Sequence, residues 1–220
     1  MLLSNAKSAR LKRRSSRPVA AARRILLASI LSFSPCIGLG NQRHQDIQVP
    51  VGKPVLVDGQ FDESEWADAQ VIPASGGIRL YVKQADNYVL ICVRPPKAGA
   101  YNVDLYLAPE TSQVFDLHAS AKLGERQLTQ SKWPDWKWWN NTGWVANTQH
   151  FDDCEDGHVQ LSYAPAFEYQ ISRHRFPGDT WRVAVEVRLV RNNEIAETTT
   201  FPQTANTSAP SAEWLTLRFR

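Results

Sequence analysis

The sequence predicts an all-β fold, a single antiparallel β-sandwich of about ten short strands. Three observations predict it. Apolar and polar residues alternate with period two in several runs, the mark of a half-buried strand. No long stretch keeps the 3.6-residue period of an amphipathic helix. Turn-forming Gly, Pro, Asn and Asp recur at close spacing between the runs. At 220 residues the chain is large enough to bury one real core.

The charge is segregated. Residues 1–40 carry Lys7, Arg10, Lys12, Arg13, Arg14, Arg17, Arg23 and Arg24 and no acidic residue; without these eight, 17 basic face 22 acidic residues. The basic character belongs to a terminal segment, so it gives no argument for nucleic-acid binding. That segment has the form of an export signal: Arg23-Arg24 leads into an apolar run over 25–37, and Gly38-Leu39-Gly40 supplies small residues for a peptidase. The run is too short for the roughly 20 residues of a bilayer-spanning helix. The expected organisation is a signal peptide over 1–40, a flexible leader over 41–50 and a sandwich over 51–220. The mature chain is expected to be periplasmic or secreted and not an integral membrane protein.

The elements follow in order. A short strand over 53–57 ends at Asp58-Gly59, a strong turn dipeptide. Residues 62–69 suit one helical turn that carries Trp66 inward. Over 78–83, Ile78, Leu80 and Val82 alternate with Arg79, Tyr81 and Lys83. A turn at 85–87 leads into 88–94, apolar on both faces and so central, which Pro95-Pro96 ends. Residues 103–108 and 113–121 read as a hairpin. Strands are expected at 144–148, 158–164 and 167–172. The cleanest alternation covers 181–190, with Trp181, Val183, Val185, Val187 and Leu189 opposite Arg182, Glu186 and Arg188. Asn192-Asn193 turns into 194–200, and 214–218 closes the chain.

Residues 132–144, KWPDWKWWNNTGW, stand apart with five of the eight Trp: Trp133, Trp136, Trp138, Trp139 and Trp144. In an extended chain Trp136 and Trp138 project to one face and Trp139 to the other, so one core does not take them all. An indole stacks on the apolar C–H face of a sugar ring, and the sugar hydroxyls need polar partners close by. The stretch holds both: Trp136, Trp138, Trp139 and Trp144 to stack, with Asp135, Lys137, Asn140 and Asn141 to hydrogen-bond. The competing reading is that two or three of these indoles fill the sandwich.

Several segments together resemble the DOMON-like superfamily, in particular the family 9 carbohydrate-binding modules. The entry signature, an Asp-Gly turn with an acidic pair and a Trp, stands as Val57-Asp58-Gly59-Gln60-Phe61-Asp62-Glu63-Ser64-Glu65-Trp66. The strand pair over 78–94 follows, then Val103-Asp104-Leu105-Tyr106-Leu107-Ala108-Pro109, and late in the chain Phe167-Glu168-Tyr169 before the 181–190 strand. The resemblance covers 51–219 in the right order. It implies a sandwich of jelly-roll type that binds sugar ends between aromatic rings. In related modules structural calcium occurs, and other branches of the superfamily hold haem.

Haem fits this composition poorly. The only Met is Met1, which leaves with the signal, and no C-x-x-C-H motif is present. Calcium has one candidate loop, Asp152, Asp153, Glu155 and Asp156, although a solvated acidic turn explains it as well. Asp58, Asp62 and Glu63 form a weaker cluster that turn and capping duties also explain. In an oxidising compartment Cys92 and Cys154 are an even pair, so a disulfide and a buried thiol at Cys92 are equal readings. No nucleophile elbow, zinc helix or phosphate loop is present. The expected function is a non-catalytic domain binding a glycan or similar small polar ligand. The alternatives are a glycan hydrolase using a carboxylate pair, or an interaction domain whose Trp serve packing.

Overall fold

A computed structural model describes residues 46–110, 113–138, 143–153, 159–209 and 212–220. Among them thirteen strands follow one another: β1 (Asp46–Gln48), β2 (Gln70–Pro73), β3 (Arg79–Ala85), β4 (Tyr88–Arg94), β5 (Tyr101–Pro109), β6 (Phe115–Ala119), β7 (Leu123–Gln127), β8 (Lys137–Trp138), β9 (Trp144–Asp153), β10 (Val159–Ser172), β11 (Thr180–Arg191), β12 (Glu194–Phe201) and β13 (Leu215–Arg218). They form two sheets, as the period-two patterning predicts. The larger runs β1-β13-β11-β5-β6-β7-β8, and the smaller runs β2-β3-β4-β10-β9. Strand β11 is long enough for one of its edges to take β13 along Thr180–Val183 and β12 along Val185–Arg191.

The inward faces make the core. Leu105, Leu107, Phe115, Leu117, Trp181, Val183 and Val185 come from the larger sheet and meet Leu80, Val82, Ile91, Val93, Phe167, Tyr169 and Ile171 from the smaller. A fully buried side chain of this kind contributes about 1.5–3 kcal/mol. Short turns set the registers. Asn192 and Asn193, both at positive φ, make the two-residue turn between Arg191 and Glu194, the backbone that matches strand twist.

Four expectations change. Residues 53–57 form no strand; only Val51 bridges to Gln84. Residues 62–69 make turns with one helical bond, Trp66 N–H to Asp62 O, and no helix. The leader is not loose throughout, because β1 pairs in parallel with β13. The strands expected at 158–164 and 167–172 are one 14-residue strand, β10, which pairs with β9 along Val159–Tyr163 and again along Glu168–Ile171, on either side of an irregularity.

The outward face of the smaller sheet is closed by the segment over 50–69. Trp66 packs there against Tyr81, Leu90 and Cys92, with Phe61 and Val55 at its margin. Two polar clamps hold it. The Glu168 carboxylate accepts from Trp66 Nε1 at 2.9 Å and from Gly59 N at 3.1 Å. The fully buried Lys83 ammonium donates to Glu65 O at 2.5 Å and Asp68 Oδ1 at 2.6 Å. Gly59 has φ +80, and a Cβ there would lie 2.7 Å from Gln149 O. The Asp-Gly turn, the Trp and the late Glu of the sequence signature are therefore three parts of one clamp. Burial pushes the Glu168 carboxyl up to about 7, against the pull of its two donors.

Candidate functional site

Side chains of the larger sheet that do not enter the core form its outward face. Strand register sets a row across it: Thr200, Glu186, Asp104, His118, Gly124 and Trp138, on β12, β11, β5, β6, β7 and β8. The adjacent row is Ala184, Tyr106, Asp116 and Arg126. Asp104, Asp116 and His118 were legible only as polar positions alternating with Val103, Leu105, Phe115 and Leu117; nothing in the sequence pairs them.

The charges interlock. Asp116 takes the Arg126 guanidinium, Nε at 2.9 Å and Nη2 at 2.8 Å from Oδ2. Asp104 lies 2.6 Å from Arg188 Nη1, an ion contact not aligned as a hydrogen bond, and Arg188 also pairs with Glu186. His118 Nδ1 stands 2.5 Å from Asp104 Oδ1, and its Nε2 stands 2.9 Å from Ser120 Oγ. Both aspartates are fully buried, and Asp116 Oδ1 has no hydrogen-bond partner. Burial first, then the Asp104 charge, holds the Asp116 carboxyl well above the usual carboxylate range. Burial likewise raises the Tyr106 phenol.

The Trp-rich stretch lies over this face and divides by role. Trp133 is a plug: it packs with Trp214, Tyr106 and Ala184, and its Nε1 donates to Thr207 O at 3.3 Å. The Arg126 guanidinium lies over both Trp133 (4.9 Å) and Trp136 (4.1 Å). Trp136 and Trp138 stack with ring centroids 6.2 Å apart, and Trp136 lies 5.0 Å from the His118 ring. They rest on Gly124, where an added Cβ would come within 3.1 Å of Trp136 and 3.2 Å of Trp138. Trp138 remains 53% exposed, with the Lys122 ammonium 5.5 Å over its ring.

The expected site residues thus fall in different places. Trp136 and Trp138 come together on the outward face; Asp135 and Lys137 are exposed, but Lys137 stands opposite Glu125, in the row that alternates with that of Gly124 and Trp138. Trp144 is a correction. It is 3% exposed in the core, stacked on Tyr169 at 6.1 Å, and donates from Nε1 to Glu125 Oε2 at 2.9 Å. It opens β9, whose alternation turns it between the sheets, so it offers no free ring to a ligand. Trp139, Asn140 and Asn141 lie outside the described residues.

The other candidates are quickly placed. Asp152 and Asp153 stand at the end of β9, opposite Gln160 and Val159. Glu155 and Asp156 lie outside the described residues, as does Cys154. Cys92 is a free, fully buried thiol raised by desolvation, which matches the buried-hydrophobe reading. Asp58 and Asp62 accept backbone bonds from Gln60 and Ser64, the turn duties anticipated for them. Among the described residues no group of three or more His, Cys, Asp or Glu is arranged to hold a metal ion. No helix among them is long and apolar enough to cross a membrane.

No protein-family model matches the sequence, and comparison with curated proteins finds no match. Among solved structures the fold is similar to that of a proposed carbohydrate-binding protein from Bacteroides uniformis. The TM-score is 0.50 at 9% identity, over 80% of this chain and 99% of that one. It is also similar to a family 9 carbohydrate-binding module from Caldicellulosiruptor kristjanssonii in complex with cellotriose. There the TM-score is 0.48 at 15% identity, over 80% and 94% of the two chains. At these identities the likeness is one of fold: a two-sheet β-sandwich.

Proposed function

We propose that this chain is an exported domain that binds a glycan on the outward face of its larger sheet, with a sugar ring stacked on Trp138. The observation that carries this reading is the exposed Trp138 indole, stacked with Trp136 and with the edge of its six-membered ring against Gly124. A ring fixed in this way loses little entropy on binding, and Lys122 supplies a polar group over it. Residues 1–40 serve as the export signal in this reading, and the fold likeness to sugar-binding proteins supports the ligand class.

Hydrolysis by a carboxylate pair is the weaker reading. The pair that the fold brings together, Asp104 and Asp116, is fully buried and tied to Arg188 and Arg126. Carboxyls that cleave a glycosidic bond must flank it in an open site. The test is calorimetric titration with a panel of soluble oligosaccharides, cellotriose among them. Binding of at least one, lost in Trp138→Ala, is the expected result; no binding across the panel would overturn the reading.

A further inference from the structure

Asp104, His118 and Ser120 form a connected relay that glycan binding does not use. A carboxylate facing Arg188 accepts, so the 2.5 Å contact places the hydrogen on His118 Nδ1. Nε2 is then left as an acceptor, 2.9 Å from Ser120 Oγ. Lys122 N also donates to that oxygen at 3.2 Å, and the hydroxyl's other acceptor, Lys122 O, is equally distant. This is the acid–imidazole–hydroxyl order that activates a serine nucleophile, recognised by geometry and not by position in the chain.

Ser120 opens the turn between β6 and β7, and the Thr148 hydroxyl pins that turn by donating to Ser120 O at 2.5 Å. The residue also lines a cleft of about 160 Å³, with Asn102, Thr148, Gln149 and Tyr163 around it. The volume suits a small acyl group, and Asn102 and Gln149 bring amide groups to its lining. On the other side His118 abuts Trp136 and Trp138. Ser120 therefore stands between the His118 ring, with its aromatic neighbours, and a small polar cleft.

We infer that Ser120 is the nucleophile of an esterase that removes a small acyl group, such as acetyl, from a glycan held on the Trp138 face. The Ser120 oxygen adds to the ester carbonyl as its proton passes to His118 Nε2. Collapse expels the sugar oxygen, which takes that proton, and leaves acyl-Ser120. A water molecule then gives a proton to His118 and attacks the acyl carbon; the proton returns to Ser120 as the carboxylic acid leaves. Asp104 is a positioning residue that fixes the imidazole tautomer. The glycan as acyl carrier rests on the proposed function; the ester chemistry does not.

The experiment measures acetate release from an aryl acetate and from an acetylated xylo-oligosaccharide by the purified chain, with fluorophosphonate labelling followed by peptide mass spectrometry. Release from both, label on Ser120, and a loss of at least about a hundredfold in Ser120→Ala at unchanged Tm are expected. Asp104→Asn is expected to lower kcat more than KM and to shift the pH–rate profile. Absence of release from both esters, or a Ser120→Ala variant as active as the parent, overturns the inference. Release from the aryl acetate alone overturns its glycan part. Titration of Ser120→Ala with deacetylated oligosaccharides tests glycan binding separately.

Discussion

The two outward faces of this sandwich began from the same problem and solved it in opposite ways. Each sheet must cover or solvate the side that does not face the core. The smaller sheet is capped by its own chain, with Trp66 laid under the segment over 50–69 and fixed by Glu168 and Lys83. The larger sheet is plugged only in part, by Trp133 and Trp214, and leaves Trp138 open over a row of interlocked charges. An indole that is 1% exposed with its N–H satisfied is part of the fold; one that is 53% exposed is left open to solvent. Burial, and not residue type, separates the two.

Substitutions should break this contrast in order of size. Removing the buried indole in Trp66→Ala is expected to cost about 3–5 kcal/mol, read from urea unfolding, because it leaves a cavity and strips Glu168 of a donor. A value below about 1 kcal/mol would mean that the cap is not part of the fold.

The pH dependence of the clamp comes next. The folded Glu168 carboxyl sits near 7 against an ordinary 4.5, so the folded state holds the proton more tightly. Its contribution is fully present below about 4.5 and is lost as pH rises through about 7, a change of about 3 kcal/mol. Thermal melts from pH 4 to 8 should show the parent losing stability relative to Glu168→Gln over that window. Parallel curves would contradict the assignment.

On the open face the effects are smaller in stability and larger in binding. Gly124→Ala pushes a methyl against the rings of Trp136 and Trp138, at about 1–2 kcal/mol in stability and with a displaced platform. Near-ultraviolet circular dichroism should report the broken indole stack. Trp138→Ala should stay within about 0.5 kcal/mol of the parent in stability.

How far the sequence reached follows from what each signal encodes. An unbroken apolar run between a turn and Pro95-Pro96 located β4 to the residue, and period-two patterning located β11 within a residue at each end, because one face of a half-buried strand must be apolar. It missed β2 and β7, which are short and mixed, and it mistook the segment over 53–57, whose apolar residues serve as a cover. The Trp-rich stretch was legible as unusual, but composition does not say which way an indole turns. Trp144 and Trp138 lie six residues apart, and register with β10 takes one into the core while Gly124 leaves the other outside. The charged row had the weakest signal, since Asp104, His118 and Arg126 meet only through sheet pairing. The clamp was readable in its parts, as the Asp-Gly turn, Trp66 and Glu168, but not as a unit.

The most direct measurement is a paired titration of the parent chain and Trp138→Ala with the oligosaccharide panel, under conditions where both have the same Tm. The central claim predicts that at least one oligosaccharide binds the parent, perturbs its Trp fluorescence, and binds the variant at least about tenfold more weakly. Equal affinity in the two chains, or no binding to the parent, would contradict it.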